Sequence, residues 1–303
     1  MISVIINTYN SINALKWTLN QNIKILNQNQ INDIILVDDD SDDNTVEYVE
    51  THFPKIRIIQ NEETLYAARS LNRGASIANH NIILFIPPNT LIESIDIQTI
   101  QNEFNQPNIF SIIPSIQLVT KKGKRYNTSY SRPRFKSGFL QCFPLTNKNI
   151  NQNNPIFGIS RQIMFVSKDI FFELEGFDPL YGASQDHILD LFYTAYKRNF
   201  KTTLLPNQKV SISHFKANQY PIEMLYKEYI APRNKYLFTW KNNSHIWIWC
   251  YHILMIILNF LTFQINESRA FIRAIIKLPN LILSRRLINI KPQKTDFEVI
   301  NSW

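Results

Sequence analysis

Apolar and polar positions change period repeatedly along the first hundred residues. "SVIINT" (Ser3–Thr8) is a short β-rich run. Over residues 11–26, Ile12, Leu15, Leu19, Ile23 and Leu26 then recur at helical spacing. Short apolar runs return at Asp33–Val37, Ile56–Ile59 and Asn81–Ile86, and residues 45–53 and 66–78 between them read as helices. Strands without polar alternation, each followed by a helix, predict an α/β fold: a Rossmann-like, mostly parallel sheet sandwiched by helices. In such sheets ligands sit off the carboxyl ends of the strands. Asp38–Asp40 occupy that position after the second strand, and Pro87–Thr90 after the fourth.

From about residue 105 to 160 the pattern loosens. Thr120–Lys136 holds seven basic groups and no acidic one, and reads as a basic loop; Asn147–Pro155 is polar and turn-rich. A second ordered block follows, with a strand at Gln162–Val166, helices at 168–175 and 186–198, and short strands near Thr203 and Val210. Beyond His214 the chain becomes helical and aromatic. The expected organisation is a domain over residues 1–215 and a helical, basic and aromatic C-terminal region over 216–303.

Composition narrows the class. With 45% hydrophobic residues in 303, the chain can bury a sizeable core, so disorder is not the default expectation. Cys142 and Cys250 form no ligand-spaced pair, which argues against a zinc framework and fits a reducing compartment. The start, "MISVIINTYN", has no basic leader followed by an apolar stretch, so a secretory signal is not expected. Residues 216–303 carry 12 Lys or Arg and five Asp or Glu, against 20 and 19 in residues 1–215. The excess positive charge therefore belongs to the C-terminal region, which argues for an anionic contact there and against a nucleic-acid-binding main domain.

That region contains "IWIWCYHILMIILNFLTF" (Ile246–Phe263), 18 residues without a formal charge. It barely reaches transmembrane length, and His252 and Asn259 interrupt it. Basic residues interleaved with apolar ones follow, from Arg269 to Arg286. This reads as an interfacial helix on an anionic membrane; a span, or helices that only pack on the main domain, are the alternatives.

Three features carry candidate chemistry. "ILVDDDSDDNT" (Ile35–Thr45) sets five carboxylates within six residues at a strand end. Asp42 or Asp43 can cap the helix beginning near Thr45. Asp38 and Asp39 are left over, placed to accept hydrogen bonds from a nucleobase or a ribose. In "GFDPLYGASQDHILDL", Asp186 opens an amphipathic helix, as an N-cap or as a general base. His214 ends "VSISH" and gains meaning only beside Asp39 and Asp186.

"SVIINTYN", "ILVDDDSDDNT", "AARSLNRGASIANHNIILFIPPNT", the "GFDPLYGASQDHILDLFYTAYKRNF" block and "PNQKVSISH", in that order over residues 1–215, resemble family 2 glycosyltransferases of the GT-A fold, of the bacterial polysaccharide or rhamnosyl-transferring type. The resemblance implies an inverting transfer of a sugar from a nucleotide diphosphate donor to an acceptor hydroxyl. It places Thr8 and Tyr9 in the nucleotide pocket, Asp39 on the base with Asp38 nearby, Arg69 beside the nucleotide, and Asp186 as catalytic base.

Two positions depart from the family pattern. Where an acid of a D-x-D motif holds Mg²⁺ or Mn²⁺, this chain has Pro87-Pro88-Asn89, and an amide ligates such ions more weakly. Gln185 stands where Glu usually precedes the catalytic Asp. His214 matches a residue that approaches the diphosphate or metal, so Asn89 and His214 make a charge-poor metal site. Leaving-group stabilisation by cations is the alternative, with Arg132 or Arg134 closing over the diphosphate from a mobile loop; a solvated loop, or one that meets an anionic acceptor, is the competing reading.

The expected protein is thus a cytoplasmic enzyme, peripheral on the inner face of the membrane. It would take a nucleotide-sugar donor and a saccharide or lipid-linked acceptor, in surface polysaccharide or glycolipid synthesis. A weakened family member that binds nucleotide sugars or scaffolds a complex is the second reading. A nucleotidyltransferase is disfavoured because no Gly-rich phosphate loop follows the first strand.

Overall fold

The computed structural model describes residues 1–127, 130–145, 158–159, 162–212 and 226–301. The chain forms two compact units that interleave along the sequence. The first comprises Met1–Ser129, Arg161–Phe172 and Thr202–Pro221; the second comprises Tyr130–Ser160, Glu173–Lys201 and Ile222–Trp303.

The first unit opens with the predicted alternation: β1 (Ile2–Thr8), α1 (Ile12–Gln28), β2 (Asp33–Asp38), α2 (Thr45–His52), β3 (Arg57–Gln60), α3 (Tyr66–Ser76) and β4 (Ile82–Ile86). These four strands run parallel in the order β3-β2-β1-β4, with Thr8 paired to Asp38 and Ile6 to Ile86. Their centres, such as Ile5, Ile35 and Leu84, are fully buried, which is why they lack polar alternation.

Beyond β4 the sheet becomes mixed. β5 (Thr90–Ser94), α4 (Ile97–Phe104), β6 (Ile109–Val119) and β7 (Arg125–Asn127) follow. β11 (Met164–Ser167) enters antiparallel between β4 and β6, and β12 (Lys201–Ile212) lies antiparallel to β5. Two expectations are corrected here. Residues 109–119 form an 11-residue strand within the loosely patterned region, and the two short strands near Thr203 and Val210 are one strand of 12 residues.

Gly74 sets how closely α3 approaches the sheet. A Cβ there would lie 2.7 Å from Ile5 Cγ2 and 2.9 Å from Val37 Cγ2. Gly74→Ala is therefore expected to destabilise the protein by about 1–3 kcal/mol through overpacking. Chemical unfolding of the two proteins side by side checks this; an unchanged midpoint would show that α3 shifts freely.

The second unit holds the antiparallel sheet β10-β8-β9, formed by β8 (Tyr130–Lys136), β9 (Phe139–Leu145) and β10 (Gly158–Ile159). The basic segment expected to be a mobile loop is thus, over Tyr130–Lys136, one arm of a hairpin, with Arg132 opposite Phe143 and Arg134 opposite Gln141. α5 (Lys168–Glu173) bridges the division of the chain. A 3-10 turn (Pro179–Tyr181) and α6 (Asp186–Lys197) lead to a π-helical turn (Tyr226–Ile230). Five helices follow among the described residues: α7 (Ala231–Asn242), α8 (Ile246–Leu261), α9 (Ile265–Ile276), α10 (Leu278–Leu287) and α11 (Asp296–Asn301).

The hairpin turn docks on α8 through Gly138, whose φ is +84° and where an added Cβ would meet Met255 Cβ at 2.7 Å. Beside it, buried His252 donates from Nδ1 to the Gly138 carbonyl at 2.5 Å and accepts from Trp240 Nε1 at 2.8 Å. Both ring nitrogens are used by the neutral imidazole, and burial lowers its pKa.

Candidate functional site

The carboxyl ends of β1, β2 and β4 bring Thr8–Tyr9, Asp38–Asp39 and Pro87–Asn89 to one edge of the first unit's sheet. The backbone ties the first two pairs together, since Asp39 N donates to Thr8 O at 2.9 Å. Thr8 is 1% exposed, and its Oγ1 has no hydrogen-bond partner among the described residues. A buried unsatisfied hydroxyl costs free energy unless a ligand or water completes it. Tyr9 lies half-buried by the acids, and partial burial with the charges of Asp42, Asp40 and Asp39 raises its phenol pKa.

The acidic run divides by partner. Asp38 accepts from Ser41 N at 3.1 Å and Ser41 Oγ at 2.5 Å, closing the turn after β2. Burial pushes its pKa up despite those bonds. Asp39 Oδ1 accepts from Asn61 Nδ2 at 2.7 Å, and from Leu65 N and Ser70 Oγ at 2.8 Å each. One oxygen of Asp39 thus fixes the start of α3, and Arg73 backs Asn61 from the next turn. Asp40 adopts φ +68° in the left-handed region, is exposed, and accepts from Thr64 Oγ1.

Asp43 accepts from Thr45 N at 3.1 Å at the start of α2, one residue ahead of the N-cap Asn44, whose own side chain makes no cap. It also accepts from Ile12 N at 3.0 Å, the first residue of α1. Asn10 reciprocates from the first loop, its Oδ1 accepting from Asp42 N at 2.8 Å. The two loops that would face a nucleotide are therefore bolted to each other. Arg69 lies exposed on α3.

Pro87–Thr90 is a β-turn closed by Thr90 N donating to Pro87 O at 3.1 Å, with Pro88 in its favoured second position. Thr18 Oγ1 donates to Pro88 O at 2.7 Å and anchors the turn to α1. The turn offers the Asn89 amide and no acid. Among the described residues no three His, Cys, Asp or Glu side chains gather as a metal would require. The described part of this turn thus supplies a neutral amide and no carboxylate to a divalent metal. His214 lies outside the described residues.

Asp186 belongs to the second unit. It is the first residue of α6, and the residue before it, Gln185, makes no side-chain cap. Its carboxylate is not spent on the helix end. Asp186 Oδ2 accepts from Ser184 Oγ at 2.5 Å and from Asn234 Nδ2 of α7 at 2.7 Å, while no described residue donates to Oδ1. Arg233 donates to Asn234 Oδ1 at 2.7 Å and to Tyr181 O at 3.0 Å, which orients the amide so that its NH₂ faces the acid. Burial raises the Asp186 pKa, against the lowering effect of Ser184, Asn234 and Arg233. An oriented carboxylate with one open oxygen and a raised pKa is suited to accept a proton from a hydroxyl.

One turn further along α6, Asp190 is buried in an ion network. Lys241 donates to Asp190 Oδ2 and Asp178 Oδ2 at 2.5 Å each, and Tyr181 Oη and Asn242 Nδ2 donate to Asp190 Oδ1. Sequence reading missed Ser184, Asn234 and Lys241. A signal existed: Asn234, Lys241 and Asn242 fall two turns apart on one face of an otherwise aromatic helix. Arg132 is half-buried, with an Nε that is buried and unpartnered among the described residues; Arg134 is exposed.

Three solved structures share the fold. GalNAc-T7, solved with UDP, GalNAc and Mn²⁺, matches at TM-score 0.58 and 15% identity over 77% of this chain and 50% of its own. This chain thus spans half the length of that protein. Staphylococcus aureus TarS residues 1–349 matches at TM-score 0.55 and 15% identity, over 94% of this chain and 82% of its own. The same fragment in complex with UDP matches at 0.52 and 15% identity, over 84% and 68%. No curated protein matches the chain in sequence. Residues 3–172, more than half of the 303, match the Glycosyl transferase family 2 model, and the chain belongs to that family.

Proposed function

We propose that this family 2 glycosyltransferase moves a sugar from a nucleotide diphosphate donor to a hydroxyl of a saccharide or lipid-linked acceptor, with inversion. The observation that carries the catalytic half is Asp186: Oδ2 is held by Ser184 and Asn234 while Oδ1 accepts no described hydrogen bond. In the proposed step Oδ1 takes the acceptor proton as the acceptor oxygen bonds to the anomeric carbon. The bond from that carbon to the diphosphate breaks on the opposite face, and the nucleoside diphosphate leaves with the electron pair.

Thr8, Tyr9, Asp38, Asp39 and Arg69 hold the nucleotide, with the open hydroxyl of Thr8 completed by the ligand. UDP in the solved TarS complex and in GalNAc-T7 makes a uridine donor the first to test. Arg132 and Arg134 supply positive charge to the departing diphosphate. The acceptor is built into surface polysaccharide or glycolipid at the inner face of the membrane, with residues 216–303 as the membrane-associating part.

Thermal stabilisation by a panel of nucleoside diphosphates tests the donor half. A true ligand at a hundred times its Kd adds about 2.7 kcal/mol. Transfer from the matching donor, with and without EDTA, tests the rest. Turnover that survives EDTA matches an amide at Asn89; turnover that needs Mg²⁺ or Mn²⁺ supports a metal held by Asn89 and His214. Asn89 also favours a second reading, a nucleotide-sugar-binding or scaffolding member. Binding without turnover from any donor would establish it.

A further inference from the structure

Three consecutive helices of the second unit leave apolar rows uncovered. On α8 only Ile248 and His252 are buried. Ile246, Trp247, Tyr251, Leu254, Ile257 and Leu261 are 45–71% exposed. At 100° per residue the exposed positions of α8, Cys250 included, cover an arc of about 180° that contains no charged residue. On α9 a single row holds Ile265, Arg269, Ile272 and Ile276, all exposed. On α10 the corresponding row is Ile282, Leu283, Arg286 and Leu287.

The charge on these helices has one sign. Arg269, Arg285 and Arg286 are exposed, whereas Glu267, the one acid between residues 246 and 287, is held by Lys235 Nζ at 2.5 Å and Tyr236 Oη. Unpartnered apolar surface of this extent marks an interaction site. Its cationic charges would oppose one another across a two-fold contact between copies, and they complement an anionic lipid surface. No described helix is long and apolar enough to cross a membrane, so α8 can meet a bilayer only in its plane.

We infer that α8 lies in the plane of an anionic bilayer, with Trp247, Leu254, Ile257 and Leu261 in the acyl boundary, and that Arg269 and Arg286 of α9 and α10 contact lipid phosphates. The inference rests on the proposed membrane-side acceptor and deepens it by naming the surface and its partner. It predicts binding that needs both apolar insertion and negative lipid charge.

The test is flotation of the full chain with vesicles of equal phosphatidylglycerol and phosphatidylcholine, against phosphatidylcholine alone. Binding is expected to the mixed vesicles, weakening with salt as surface electrostatics are screened. Arg269→Gln and Arg286→Gln are each expected to weaken it about fivefold. Leu254→Glu with Ile257→Glu should abolish it while circular dichroism and the thermal midpoint stay unchanged, since both side chains are solvent-facing. A solvatochromic label on Cys250, in a Cys142→Ser chain, should shift to the blue on binding.

Equal binding to neutral vesicles, an unshifted Cys250 label, or no flotation at all would overturn the inference. So would a concentration-dependent dimer in lipid-free solution that Ile257→Glu dissociates, which would make this face a contact between copies. An Asp186→Asn chain is expected to float like the parent. Loss of transfer with retained binding thus separates failure of the catalytic reading from failure of this one.

Discussion

Asp186→Asn will abolish sugar transfer, by about two to four orders of magnitude, while leaving nucleotide binding within about twofold of the parent. The substitution preserves the size of the side chain but removes the carboxylate proposed to accept the proton. Its local contacts survive in part, because Ser184 and Asn234 donate to a single oxygen that an amide carbonyl can supply. Rate and binding therefore separate: activity falls in kcat, and stabilisation by the nucleoside diphosphate persists. Normal turnover in this variant would refute the role of Asp186 as base.

The pH profile gives the proposed base a second signature. Burial raises the Asp186 pKa above its ordinary 3.8, and a base must be ionised to accept a proton. Activity is thus lost as pH falls through that raised value. Asn234→Leu removes a donor that favours the carboxylate, so the acid limb moves to higher pH and kcat drops with little change in donor KM. An amide that only packed α7 against α6 would not move that limb.

Lys241→Leu will be among the most destabilising single changes in the chain, costing about 3–5 kcal/mol and lowering the thermal midpoint by on the order of 10 °C. Lys241 is 5% exposed and serves two carboxylates that are themselves 12% and 4% exposed. Removing the cation strands both charges in a desolvated interior. Burial is the largest influence on Asp178, and its pKa is low only because Lys241, Ser284 and Leu180 N overcome it.

The sign of the pH effect follows. In the parent, the depressed Asp178 contributes stability above its unfolded value of about 3.8, lost as pH falls through its folded value. Lys241 has a folded pKa above 10.5, so its contribution is present below 10.5 and lost as pH rises through the folded value. Without Lys241 burial dominates, Asp178 favours its protonated form, and the deficit of the variant narrows as pH is lowered from neutrality. Adding Asp190→Asn to Lys241→Leu should recover part of the loss, since one stranded charge is removed. A strictly additive loss would show that the network holds no net coupling.

The parts of the fold legible in sequence are those with a local period. The alternation from β1 to β4 is repeated within stretches of ten to twenty residues, and the structure places each element within a few residues of its expected range. β6 was readable in principle: "IFSIIPSIQLV" is nearly continuous in apolar residues. Pro114 and the polar stretches that follow obscured it. The pairing of β11 between β4 and β6 joins segments about fifty and eighty residues apart, and no local pattern encodes such a neighbour.

The site divides along the same line. The chain by itself determined that acids crowd the end of β2, that Asp186 opens α6, and that the turn after β4 has an amide in place of an acid. Identity and position within an element suffice for those statements. Which acid does what was decided by tertiary structure. Asp43 accepts from the first N–H of two helices, Asp39 is committed through one oxygen to Asn61 and Ser70, and Asp186 is aimed by Asn234, 48 residues away. The physical reason is that a hydrogen bond depends on distances of about 3 Å between atoms, which chain separation does not specify, whereas periodicity depends only on neighbours along the chain.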